Sequence, residues 1–153
     1  MKGAIRAALL STVLCSSSAF AGSEWFIDRS VDKMTDVESG LAVLGASDSN
    51  IEIFLNCSQH EPMVAVDPRF KFFQEWVTVE YRYGSEPHQT LEAYGGSNTY
   101  LIFVGEKATK LISELTSHRE IYLRAIVGSN VVEGTFDLSG FPTAYDKIKD
   151  LCS

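Results

Sequence analysis

The chain has 153 residues, of which 45% are apolar and 11% aromatic, enough for one globular domain with a hydrophobic core. Charged residues make up 22%, with 11 glycines and 4 prolines, and this composition excludes a disordered or collagen-like chain. The formal charge is −7, which argues against nucleic acid as the main partner, because phosphate binding requires a basic surface.

The first 21 residues have the layout of a secretory signal peptide. A short positive region around Lys2 is followed by an apolar, small-residue stretch from 7 to 18, and Ala19-Phe20-Ala21 matches an A-x-A cleavage site. The apolar stretch is too short for a membrane-spanning helix, which needs about 20 residues. We therefore expect cleavage after Ala21, export to the periplasm and no stable insertion into the membrane.

Residues 22–153 are expected to form a single exported, β-rich domain. Cys15 allows a second interpretation, a lipoprotein cleaved before that cysteine, although Leu14 stands where such processing needs a small side chain. Cleavage after Ala21 removes two basic residues and no acidic one. The mature domain would then have 11 basic and 20 acidic residues, a formal charge of −9.

Two cysteines remain in the mature domain, Cys57 and Cys152. An even number of cysteines in an exported chain predicts a disulfide, and two cysteines allow one intramolecular pairing. The bond would join residues that are 95 positions apart in the chain. In the chain-entropy model, closing such a loop contributes about 4–5 kcal/mol as an upper figure.

Alternation of apolar and polar residues predicts about seven β-strands. Cys57 shares the aliphatic phase of its strand and is therefore expected to face the core. The last two strands flank Gly128-Ser129-Asn130 and are expected to form a hairpin. The predicted strands lie within 37–44, 51–58, 64–66, 77–83, 100–104, 121–127 and 131–137.

Two segments change to the helical period. The first is amphipathic over about three turns, with Ala108, Leu111, Ile112 and Leu115 on one face. The second spans 142–151 and begins with a proline, which suits a first helical turn. The sequence thus predicts a mainly β (α+β) fold, an antiparallel β-sandwich or flattened barrel with two edge helices, the C-terminal one tethered by the disulfide.

No arrangement of residues predicts catalysis or cofactor binding. Cys57 and His60 have the spacing of half a metal site, but no second pair of ligands completes it. A cysteine in a disulfide also has no thiolate to offer a metal. We therefore predict no enzymatic activity, no cofactor and no metal site.

Four aromatic residues occur between Phe70 and Trp76, interleaved with basic residues. They predict either a loop whose aromatic side chains cap the core or a recognition surface, because aromatic residues and arginine anchor protein interfaces. Arg82 and Arg124 fall on the polar phases of their strands. With Phe72 and Trp76, they are the candidate contacts to a partner.

A set of residues along the mature chain occurs in a characteristic order. The set comprises Trp25, Asp32, Asp36, the strand ending at Cys57, Val79-Glu80-Tyr81-Arg82, and Thr135 to Phe141 before the final cysteine. In these features the chain resembles the VasI/TagO family, whose members are associated with type VI secretion loci. The resemblance implies an exported accessory protein of the periplasm without enzymatic activity, whose structural cysteine pair corresponds to Cys57 and Cys152.

Two functions follow as hypotheses. The first is an accessory protein that binds an envelope protein, such as a secretion-system component. The second is a periplasmic inhibitor of a cell-wall hydrolase, because a negatively charged, disulfide-closed β domain is electrostatically complementary to basic lysozymes.

Overall fold

The computed structural model describes residues 24–153, so the predicted leader and its cleavage site lie outside the described residues. Its elements are strands β1 (Phe26–Val31), β2 (Glu38–Gly45), β3 (Glu52–Ser58), β4 (Glu61–Asp67), β5 (Trp76–Tyr83), β6 (Gln89–Tyr94), β7 (Leu101–Val104), β8 (Glu120–Val127) and β9 (Asn130–Asp137), and helices α1 (Glu106–Ser117) and α2 (Phe141–Asp146).

All nine strands belong to one antiparallel sheet with the order β1-β2-β3-β4-β7-β6-β5-β8-β9. The mainly β prediction is confirmed, but the expected count of about seven strands is too low. The sheet is also open, so neither a sandwich nor a closed barrel describes it. The loop between β2 and β3 reaches the last strand: the Ser47 backbone N–H donates to the Thr135 carbonyl at 2.8 Å.

The core lies on the inner face of this sheet and is closed by the two helices. The predicted alternation is confirmed in β3, β5 and β8, where every second residue is buried. In α1 the predicted apolar face is also confirmed, since its buried residues are Ala108, Leu111, Ile112 and Leu115. Apolar burial on this scale is the main favourable term in folding.

Side chains in and next to β7 alternate between the core and the outer face of the sheet. Leu101 and Phe103 are buried in the core, whereas Tyr100 and Val104 are exposed. Tyr100, Ile102 and Val104 share the opposite face, which is the outer one.

The C-terminal segment is less regular than the single helix expected over 142–151. Helix α2 ends at Asp146, and a short 3₁₀ turn follows at Lys149–Leu151. Between them Ile148 is fully buried against β2. The predicted disulfide between Cys57 and Cys152 is present, with Cα atoms 4.7 Å apart, and it ties this segment to β3.

Candidate protein-interaction surface

Three of the four predicted contact residues lie on the outer face of the sheet. Trp76 and Arg82 belong to β5, and Arg124 belongs to the adjacent strand β8. Residues two apart in a strand share a face, so Trp76, Glu80 and Arg82 project to the same side. The register pairs Glu80 with Arg124 and Arg82 with Tyr122 across the two strands.

Phe72 is placed differently from the other three. Its side chain is only 4% exposed, and Gly95 lies so close that a methyl group there would be 2.6 Å from the Phe72 ring. Because it fills the core, Phe72 is not available for contact with a partner, which corrects that candidate. The next residue, Phe73, is 89% exposed and is the aromatic side chain that this loop presents to solvent.

A continuous row of apolar side chains crosses the outer face of seven strands. Each residue of the row is the direct cross-strand partner of the next, from β1 through β2, β3, β4, β7 and β6 to β5. We call it the outer apolar row; its members are Phe26, Val43, Phe54, Ala65, Ile102, Tyr94 and Trp76.

The two ends of the outer apolar row face solvent. Phe26 is 63% exposed at one end, and Trp76 and Tyr94 are 56% and 40% exposed at the other. The rings of Trp76 and Tyr94 meet edge to face, 5.4 Å apart, which holds them in a fixed arrangement. Between these ends, Val43, Phe54 and Ile102 are partly exposed and Ala65 is buried. Clustered exposed apolar side chains such as those at the two ends are typical of an interaction site.

The surface extends beyond Trp76 to the hairpin formed by β8 and β9. Ile126 and Val131 are direct cross-strand partners, and both are exposed. A shallow cleft lies between Trp76 and Ile126 and also contacts Arg124. The outer face therefore combines exposed aliphatic, aromatic and arginine side chains, the combination found in interface hot spots.

An ion pair connects β5 to β8 on the outer face. Arg124 donates to the Glu80 carboxylate through Nε at 3.0 Å and through Nη2 at 2.5 Å. This contact lowers the pKa of Glu80 and raises that of Arg124. Next to the pair, the Arg82 guanidinium lies over the Tyr122 ring, 5.7 Å from its centroid.

A second polar cluster lies between β5 and α1. The Tyr83 hydroxyl donates to Glu114 at 3.0 Å, and Lys110 donates to the Tyr81 hydroxyl at 2.5 Å. Burial is the largest cause that raises the pKa of both tyrosines, so both phenols stay protonated at neutral pH. The cluster therefore supplies hydrogen bonds that connect the helix to the sheet, and it contains no phenolate nucleophile.

The three histidines lie apart, in keeping with the sequence. His60 contacts the Ser153 carbonyl near the chain end, His88 lies by the outer face of β5, and His118 stacks on Tyr83 with ring centroids 4.0 Å apart. Over residues 24–153, no group of three His, Cys, Asp or Glu side chains is arranged to hold a metal ion.

The same part of the chain contains no helix with the length and apolar content needed to cross a bilayer. Comparisons of the chain with protein-family models, curated proteins and solved structures find no match. The function is therefore inferred from the outer surface and from the sequence.

The sequence contained one signal for the outer apolar row. Phe54 and Ile126 occupy positions where the alternation of their strands calls for polar residues. Such exceptions indicate outward-facing apolar side chains, but only the strand register shows that they align across the sheet.

Proposed function

We propose that this chain is an exported, non-enzymatic accessory protein that binds another protein of the bacterial envelope through the outer face of its sheet. The outer apolar row is the observation that carries the proposal. One of its two solvent-exposed ends consists of Trp76 and Tyr94, with Arg124 nearby on β8. Tryptophan, tyrosine and arginine are the residues most enriched where interfaces derive most of their binding energy.

Two further observations support an envelope location. The first 21 residues have the layout of a signal peptide, and the Cys57–Cys152 bond is of the kind that persists in oxidising compartments. The resemblance to the VasI/TagO family suggests, as a narrower version of the proposal, that the partner is a component of a type VI secretion system.

Affinity capture from periplasmic extract with matched variants tests this function. We expect Trp76→Ala and Tyr94→Ala each to weaken recovery of the partner by about tenfold or more, the loss typical of interface hot spots. Met34→Ala is the control, because Met34 is 91% exposed in the loop between β1 and β2, outside the outer apolar row. Undiminished recovery by both aromatic variants, with unchanged far-UV circular dichroism, would contradict the proposal.

The alternative function is inhibition of a cell-wall hydrolase. It is favoured by the charge of residues 24–153, which contain 11 basic and 20 acidic residues and would attract a basic enzyme. Lysis of cell-wall substrate by a basic lysozyme, measured with increasing amounts of the protein, separates the two functions. Stoichiometric inhibition of the lysozyme that weakens as salt is added would support the alternative function. Lysis that is unaffected by the protein would contradict the alternative and favour the accessory function.

A further inference from the structure

The outer face contains a cleft with a local charge opposite to that of the whole domain. The cleft has a volume of about 400 Å³ and lies where β5 and β8 pair. Two guanidinium groups and one carboxylate line it, a formal charge of +1 in a domain of −9. Its lining residues are Glu80, Tyr81, Arg82, His88, Tyr122 and Arg124.

The two arginines of this cleft differ in their partners. Arg124 is paired with Glu80, to one oxygen of which it donates through Nε and Nη2. Arg82 forms no ion pair with any acidic residue of 24–153 and is held instead over the Tyr122 ring. Tyr122 is itself fixed, because its hydroxyl donates to Glu133 at 2.6 Å. Arg82 therefore lines the cleft with a guanidinium that no carboxylate of the described residues pairs.

We propose that this cleft binds a single carboxylate side chain of a peptide segment, with Arg82 as the main ligand and Arg124, His88 and Tyr122 around it. A guanidinium group recognises a carboxylate through charge-assisted hydrogen bonds, and the cleft holds an intramolecular example, since Arg124 donates through Nε and Nη2 to one oxygen of Glu80. The proposal deepens the function given above, since the segment would belong to the envelope partner.

The net charge of the domain limits which class of anion can bind in the cleft. A net charge of −9 repels polyanions such as nucleic acids and clustered phosphates, whereas a single carboxylate meets mainly the local charge of the cleft. The openness of the cleft to solvent also suits a side chain or chain end of a peptide.

Titration of the purified protein with a small probe tests the proposal without the partner. The probe is an end-capped pentapeptide with a single glutamate, and the control probe is the same peptide with glutamine. We expect the glutamate peptide to shift the NMR resonances of the Arg82 Nε–H and the Tyr122 amide, and sodium chloride to weaken the shifts. Equal shifts with the glutamine peptide would overturn the proposal.

Two variants and one further probe complete the test. Arg82→Gln should weaken binding of the glutamate peptide by about fivefold, the upper range for an exposed ion pair, while Arg119→Gln, a change of the same chemistry outside the cleft, should not. Inorganic phosphate that saturates the cleft at lower concentration than the peptide would overturn the choice of carboxylate. Because the titration needs no partner, its failure is distinguishable from loss of capture by the Trp76 and Tyr94 variants.

Discussion

At Gly40 the C-terminal segment packs directly against the backbone of β2. A Cβ atom at this position would lie 2.8 Å from both Cβ and Cγ2 of Ile148, a side chain with no exposed surface. Because Ile148 is β-branched and buried, it has little freedom to move aside. We expect Gly40→Ala to lower the free energy of unfolding by about 1–3 kcal/mol, the usual cost of overpacking, as measured by urea denaturation.

Gly45 provides a matched control for this substitution. It lies in the same strand, and no heavy atom lies within 4 Å of the position its Cβ would take. Gly45→Ala should leave the urea midpoint nearly unchanged. If both variants shift the midpoint equally, the contact between Ile148 and β2 is not what restricts position 40.

Asp48 holds the loop between β2 and β3 onto the last strand. It accepts hydrogen bonds from the Thr135 backbone N–H and hydroxyl, both at 2.8 Å, which lower the pKa of Asp48. Because folding lowers the pKa of this carboxyl group, its ionised form stabilises the folded protein at pH values above the pKa in the unfolded chain, about 3.9. This stabilisation is lost as the pH falls through the pKa of the group in the folded protein. We therefore expect Asp48→Asn to destabilise the protein at pH 7 and to differ less from wild type at pH 3.

Urea denaturation at pH 7, 5 and 3 measures this effect. Asp28→Asn is the control, because Asp28 is exposed on β1 and its carboxylate makes no hydrogen bond within the described part of the chain. A difference between Asp48→Asn and wild type that stays constant from pH 7 to pH 3 would be evidence against the role of this carboxylate.

Among the elements, those with one clearly buried face could be predicted from sequence. The strands β3, β5 and β8 and helix α1 each bury every residue of their apolar phase, so periodicity alone located them. β1 and β6 were missed because they bury little: β1 has only Ile27 partly buried, and in β6 only Ala93 is fully buried. These two segments form strands because they pair with neighbouring strands, and no local sequence pattern predicts that pairing.

The C-terminal segment depends on its covalent tether to β3. Cys57 is fully buried, and the bond closes a separation of 95 residues. We expect the double variant Cys57→Ala/Cys152→Ala to unfold with a free energy about 2–4 kcal/mol lower than the oxidised protein. Wild type denatured and refolded in reductant should match the variant; equal stability of variant and oxidised protein would show that the tether contributes nothing.

At the scale of the whole molecule, the sequence could predict a β-rich domain but not the shape of its sheet. Alternation is the same in a sandwich, a barrel and an open sheet, and only the strand order distinguishes them. For the same reason, the sequence could not show which outward-facing side chains lie next to each other across the sheet. Strand phase placed Arg82 and Arg124 on the outer face, whereas Trp76 and Phe72 both came from the aromatic segment that precedes β5. Phe72 is buried, which no periodicity in a loop could predict, and the outer apolar row depends on register across seven strands.

Site-specific photo-crosslinking in living cells tests directly whether the outer face of the sheet binds an envelope protein. A photoreactive amino acid would replace Trp76, Tyr94 or Ile126 on the outer face, and Met34 or Ser113 as controls away from it. We expect the three outer-face positions to give an adduct with one and the same envelope protein, and the control positions to give none. Adducts from the control positions alone, or no adduct from any outer-face position, would contradict this expectation.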